Sequence, residues 1–193
     1  MSPRARPAAS PLENRRERIY LTGFMGSGKS TIGPILANTI GYEFVDIDRS
    51  IERAAGKSVN QIFLESGEDR FRSLERELVV SLSARPHLVI ALGGGTIMDA
   101  ENFRRIMASG IVVYLKSTPE QVFRRVYRRE DRPVLRDQAG ERLDDDRLRE
   151  RIDNLYRLRE PVYAQADFTV HTGERRVGLT VDEIVRILLP HIE

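Results

Sequence analysis

The sequence contains no cysteine and no tryptophan, only three histidines, and only three lysines among its 31 basic residues. Without cysteine, disulfides and thiolate metal sites are excluded, and a reducing cytoplasm is the simplest address. His87, His171 and His191 are scattered without ligand spacing, which favours surface or edge positions over a metal centre. No apolar run approaches the roughly 20 residues needed to span a bilayer. The shortage of lysine leaves 28 arginines, so a single arginine means little unless a motif surrounds it.

Net charge is scarce as well. The formal charge is +2, but residues 1–18 alone carry a net +3 and the remainder a net −1. A basic domain built for nucleic acid would look different. The length of 193 residues, with 40% hydrophobic and 31% charged, fits one ordinary globular domain with a sizeable core. Residues 1–18, with Pro3, Pro7, Pro11 and five arginines, read as a flexible tail ahead of a domain over 19–193. The segment is short, broken by proline and carries Glu13 and Glu17, which argues against an organellar transit peptide, and it lacks the apolar stretch of a secretory signal.

What the chain does have, from Ile19 onward, is an alternation of short apolar runs and amphipathic stretches. Ile19–Thr22, Tyr42–Ile47, Leu88–Leu92, Ile111–Leu115 and Phe168–Val170 read as strands. Helices are expected over Gly28–Ile40, Arg49–Ala55, Ser58–Glu65, Glu68–Ala84, Asp99–Ala108, Pro119–Tyr127, up to about Arg159, and Val181–Leu189. The stretch 128–145 is too charged to pack in a core and is long enough for a mobile lid. Apolar strands alternating with helices predict an α/β protein with a parallel sheet covered on both faces.

Gly23-Phe24-Met25-Gly26-Ser27-Gly28-Lys29-Ser30 matches the G-x-x-x-x-G-K-[ST] phosphate loop in full, with a buried strand before it and an amphipathic helix after it. Glycines let backbone N–H groups close around phosphate oxygens, and the helix start adds its positive end. Gly26, Ser27, Gly28, Lys29, Ser30 and Thr31 are the candidate ATP contacts, with Lys29 the mobile charge for the β/γ-phosphates and the Ser30 hydroxyl a ligand for Mg²⁺. A glycine-rich turn that binds nothing is the competing reading, and the intact octapeptide with both flanks weighs against it. Gly56-Lys57-Ser58 imitates the end of the motif but no strand precedes it, so it reads as a helix start.

A phosphate loop does not choose among kinases, GTPases and ATPases, but three further features narrow the choice. Phe44-Val45-Asp46-Ile47-Asp48 ends the second strand, where alternation puts both aspartates on one side at the ligand-bearing sheet edge. An acidic strand end that merely caps a helix is the bland alternative. Gly93-Gly94-Gly95 follows the third strand, and three successive glycines suggest close backbone approach to a ligand. Asp131-Arg132-Pro133 lies in the polar stretch.

In order along the chain, GFMGSGKST (Gly23–Thr31), FVDID (Phe44–Asp48), GEDRFRSLE (Gly67–Glu75), LGGG (Leu92–Gly95), DRPVL (Asp131–Leu135) and LREPVY (Leu158–Tyr163) resemble the shikimate kinase family. The resemblance implies a nucleoside-monophosphate-kinase-like P-loop fold of three α/β/α layers, with a central five-stranded parallel sheet, substrate-binding helices and a lid. It implies transfer of the ATP γ-phosphate to the 3-hydroxyl of shikimate, with Mg²⁺, by a cytoplasmic enzyme expected to be a monomer. By the same resemblance Lys29, Asp48 and Arg132 carry catalysis, Asp48 also binding the substrate hydroxyls. Arg72 and Arg159 hold the carboxylate, Gly94 offers a backbone contact, and Asp46 sits at the magnesium water shell. Arg125 and either Arg175 or Arg176 in the Thr172–Arg176 loop match the adenine side, although composition alone gives such arginines a solvated surface place. A kinase for gluconate or a nucleoside monophosphate, and a metabolite sensor built on the same domain, are the alternatives. A nucleotide acceptor needs a base pocket, whereas paired arginines suit a carboxylate, and a sensor carries a helix-turn-helix module ahead of the domain.

Overall fold

The computed structural model describes residues 17–127, 143–173 and 175–192. Its strands are β1 (Arg18–Thr22), β2 (Glu43–Asp46), β3 (Leu88–Ala91), β4 (Ile111–Lys116) and β5 (Phe168–His171). All neighbouring pairs are parallel, in the order β2-β3-β1-β4-β5. The helices are α1 (Lys29–Ile40), α2 (Ile47–Ala55), α3 (Val59–Leu82), α4 (Ala100–Ser109), α5 (Pro119–Tyr127), α6 (Asp145–Tyr163) and α7 (Val177–Leu188).

The period of two along β1 sorts the core into two layers. Ile19 and Leu21 pack with Leu36 of α1 and Val181, Ile184 and Leu188 of α7. Tyr20 packs on the opposite face with Ile51 of α2, Val79 of α3, Ile106 of α4, Val122 of α5 and Ile152 of α6. The sheet is therefore covered on both faces, as the fully apolar strands require. Among the described residues no helix is long and apolar enough to cross a membrane.

Several boundaries differ from the sequence expectation. β1 starts at Arg18, whose guanidinium is buried against the Ser109 and Arg85 carbonyls, at 2.6 and 3.3 Å. β2 ends at Asp46, and Asp48 lies in the first turn of α2 rather than on the strand. Strand alternation thus does not relate the two aspartates; the carboxylate of Asp46 caps the helix by accepting from the Arg49 amide. The two helices expected on either side of residue 67 are both present: α3 as bounded here is two helices joined at a kink, Gly67, which adopts the non-helical φ 81° and ψ 168°. Ser58 begins α3 through a reciprocal capping box with Gln61, while Gly56 closes α2 at φ 65°, which accounts for the false echo of the phosphate loop. α6 runs on through Pro161 to Tyr163, beyond the Arg159 expected, and α7 begins four residues early, at Val177. The lid expected over 128–145 lies outside the described residues except for 143–145.

Candidate active site

Parallel strands all present their carboxyl ends to one edge, and the loops that follow β1, β3 and β5 meet there with the junction of β2 and α2. They enclose a cavity of about 390 Å³ lined by Gly26 to Ile32, Asp46, Asp48, Gly94, Arg125, Thr172, Gly173 and Arg175, among others.

The loop after β1 turns tightly because its glycines take conformations other residues avoid. Gly23, Gly26 and Gly28 have φ of 137°, 74° and 104°. At Gly23 a Cβ would also lie 2.5 Å from the Leu115 carbonyl oxygen of β4. Lys29 opens α1 and bends back to donate to the Gly23 and Phe24 carbonyls at 2.6 and 3.0 Å, with the Ser27 hydroxyl at 3.5 Å. Ser30 donates to Asp46 Oδ2 at 2.8 Å, bringing a hydroxyl and a carboxylate together at the cavity wall.

Gly93, Gly94 and Gly95 follow β3, and Gly94 lines the same cavity. None has a positive φ, so their requirement is room rather than conformation. A Cβ on Gly93 would stand 2.6 Å from Asp48 Oδ1, one on Gly94 3.3 Å from Arg159 Nη1, and one on Gly95 2.9 Å from Arg72 Nη1. Each missing side chain makes space for one of three residues matched to substrate binding. The close approach found is to the protein's own Asp48, Arg159 and Arg72.

The two arginines come from helices distant in sequence and converge on this one segment. Neither lines the cavity itself: Arg159 lies against Gly94, which does, and Arg72 against the adjoining Gly95. Arg72 is gripped from its own helix, donating through Nε and Nη2 to Glu68 at 3.1 and 2.9 Å and through Nη1 to Glu75. Burial works against its charge, but Glu75 and Glu68 outweigh that and hold its pKa above the ordinary value. Glu75 is itself buried and accepts from the Thr96 hydroxyl at 2.6 Å. Among the described residues, three of the five guanidinium N–H groups of Arg72 are engaged in this way. Arg159 stands over the Phe24 ring, its Cζ 5.7 Å from the centroid, which ties it to the phosphate loop through a cation–π contact.

Arg125 is not the solvated surface arginine that composition suggests. Its guanidinium donates to the Gly26 carbonyl at 3.0 Å, the Ser117 hydroxyl at 3.2 Å, the Gly173 carbonyl at 2.9 Å and the Thr172 carbonyl. It stitches the phosphate loop to the loop after β5. Of the two neighbouring candidates, Arg175 borders the cavity and pairs with Glu183 at 2.7 Å, while Arg176 is the N-cap residue of α7. Arg132 lies outside the described residues.

Sequence reasoning passed over Glu68 and Glu75, although both stand within GEDRFRSLE at i−4 and i+3 from Arg72, the spacing at which helical side chains meet. The ties of Arg125 left no such trace, since its carbonyl acceptors are all distant along the chain.

Comparison with known proteins matches this arrangement. The family model described as shikimate kinase covers residues 25–189. A shikimate kinase of Chlorobium limicola is 46% identical over 171 residues, 89% of this chain and 86% of that protein. One from Chlorobium chlorochromatii is 48% identical over 168 residues, 87% of this chain and 88% of its own. The solved shikimate kinase from Acinetobacter baumannii in complex with shikimate superposes with a TM-score of 0.82 at 34% identity, covering 93% of this chain and 98% of that one. With the ordered motifs and the converging geometry, these matches establish that the chain belongs to the shikimate kinase family.

Proposed function

We propose that the chain transfers the γ-phosphate of ATP to the 3-hydroxyl of shikimate, giving shikimate 3-phosphate and ADP on the route to chorismate and the aromatic amino acids. The observation that carries this reading is the glycine segment 93–95, which has Asp48, Arg159 and Arg72 packed against it in turn, with Gly94 lining the same cavity as the phosphate loop. Shikimate has one carboxylate and several hydroxyls. Forked guanidinium groups suit the former, and a carboxylate acceptor suits the latter.

Phosphoryl transfer passes through a loose transition state, so alignment and charge stabilisation dominate its catalysis. Lys29 offsets charge on the transferring group, and Arg132 is assigned the same task from the polar stretch. Asp48 orients the attacking hydroxyl and takes its proton late. The Ser30 hydroxyl beside Asp46 is an oxygen set that suits Mg²⁺, a hard cation that shares its shell with phosphates and water. When bound, that ion neutralises phosphate charge. Arg125 and Arg175 are assigned to the adenine side, in a monomeric cytoplasmic enzyme.

The test is a coupled ADP-release assay with shikimate against gluconate, nucleoside monophosphates and a shikimate amide. Shikimate should be strongly preferred and the amide poorly used. Arg72→Lys and Arg159→Lys should each raise the KM for shikimate while the KM for ATP stays nearly constant. The double variant should cost less than the sum of the singles. A preference for another acceptor, or variants that lose as much on the amide as on the acid, would overturn the substrate assignment.

A further inference from the structure

Tyr163 closes the LREPVY segment, lies one turn after Arg159 on α6 and is fully buried. A buried phenol needs a partner for its hydroxyl, and this one has the Gly94 carbonyl, to which it donates at 2.5 Å. The Arg159 guanidinium lies against the same glycine, its Nη1 3.3 Å from where a Gly94 Cβ would stand and the Tyr163 hydroxyl 4.0 Å from that point. The ring is fixed from below by Tyr114, with centroids 5.4 Å apart.

From this geometry we infer that Tyr163 is a positioning residue for the acid acceptor, locking the Gly94 backbone and the Arg159 guanidinium into one unit. The inference rests on the reading that Arg159 grips the acceptor's carboxylate. Two loosely held groups would each have to be ordered as the acid binds; one hydroxyl that pins the Gly94 backbone, against which Arg159 rests, removes part of that cost beforehand. The bond is donated to a carbonyl, so it persists only while the phenol keeps its proton. Burial pushes the pKa of Tyr163 up to about 12, against the opposing pull of Arg159, and the donor is therefore present throughout the physiological range.

Tyr163→Phe removes the hydroxyl and leaves the ring. The expected result is a KM for shikimate raised about fivefold, as for loss of one buried hydrogen bond to a carbonyl, with the KM for ATP within twofold of wild type. Combined with Arg159→Lys, the change should add little, since both act on one grip. The control is Tyr114→Phe, which removes another buried phenol of the same ring cluster, bonded to Tyr156 at 3.3 Å; it should lower thermal stability without moving either KM selectively. A Tyr163→Phe enzyme with unchanged shikimate KM, or with both KM values raised alike, overturns the inference. If Arg159→Lys raises the shikimate KM and Tyr163→Phe does not, this inference alone fails; if neither does, the carboxylate grip fails with it. Independently of any variant, the ring Cζ resonance of Tyr163 in the unmutated protein should shift on adding shikimate and stay still with ATP alone. The reverse pattern also refutes the positioning role.

Discussion

Lys29 and Gly95 show how differently single residues enter this site. Lys29 contributes a charge already stationed by the Gly23 and Phe24 carbonyls. Removing one such preorganised group costs about 3 kcal/mol of transition-state stabilisation, roughly a hundredfold in rate. Lys29→Ala should therefore cut kcat at least that far while circular dichroism stays native; near-wild-type turnover in a folded variant would contradict its role. Gly95 contributes an absence. Its backbone is in an ordinary region at φ −109°, so alanine is free of backbone strain, but its methyl would press on the Arg72 guanidinium at 2.9–3.2 Å. The tip of a long side chain yields at small cost in stability. Gly95→Ala should accordingly leave Tm within about 2 °C, a shift worth less than 1 kcal/mol, yet raise the KM for shikimate alone. A large fall in Tm with unchanged KM would mean the triplet serves packing only.

Among the elements, α3 carries the clearest local strain. Gly67 interrupts it with φ 81° and ψ 168°, a conformation that is essentially restricted to glycine, and nothing lies within 4 Å of where a Cβ would stand. Gly67→Ala therefore isolates backbone strain from crowding. It should destabilise by about 2 kcal/mol and lower Tm by about 4–8 °C, read by thermal denaturation; an unchanged Tm would show the break to be optional. This element also marks what was legible in the sequence. The apolar strands, the phosphate loop and the helical spacing of Phe71, Leu74 and Leu78 follow periodicities that a one-dimensional reading captures. The strand-to-helix change between Asp46 and Ile47 does not, because a strand end and a helix cap accept the same acidic residue, and the hydrogen bond to Arg49 decides. Likewise Arg125 owes its place to carbonyls 47, 48 and 99 residues away, which no local pattern records.

At the scale of the whole molecule, the phosphate loop and the loop after β5 meet across the cavity, bridged by Arg125. A ligand bound there stabilises the folded state as a unit. With ATP and magnesium at a hundred times the dissociation constant, the gain should be about 2.7 kcal/mol, visible as a Tm increase of several degrees that Lys29→Ala diminishes. No shift with ATP in the wild-type protein would argue against nucleotide binding.

The strand order carries a consequence for synthesis. β1 lies at the centre of the sheet, but its partners are β3 and β4, whose last residues are Ala91 and Lys116. A chain leaving the ribosome has no partner for Ile19, Tyr20 and Leu21 until about seventy further residues complete β3, and lacks the second partner until nearly a hundred complete β4. The phosphate loop is translated ahead of the other site residues described above yet acquires part of the backbone that shapes it late, since Gly23 is packed against the carbonyl of Leu115. Nucleotide affinity should thus be absent from nascent chains ending before β4, and the newborn chain depends on slow, long-range pairing for the very segment its activity begins with.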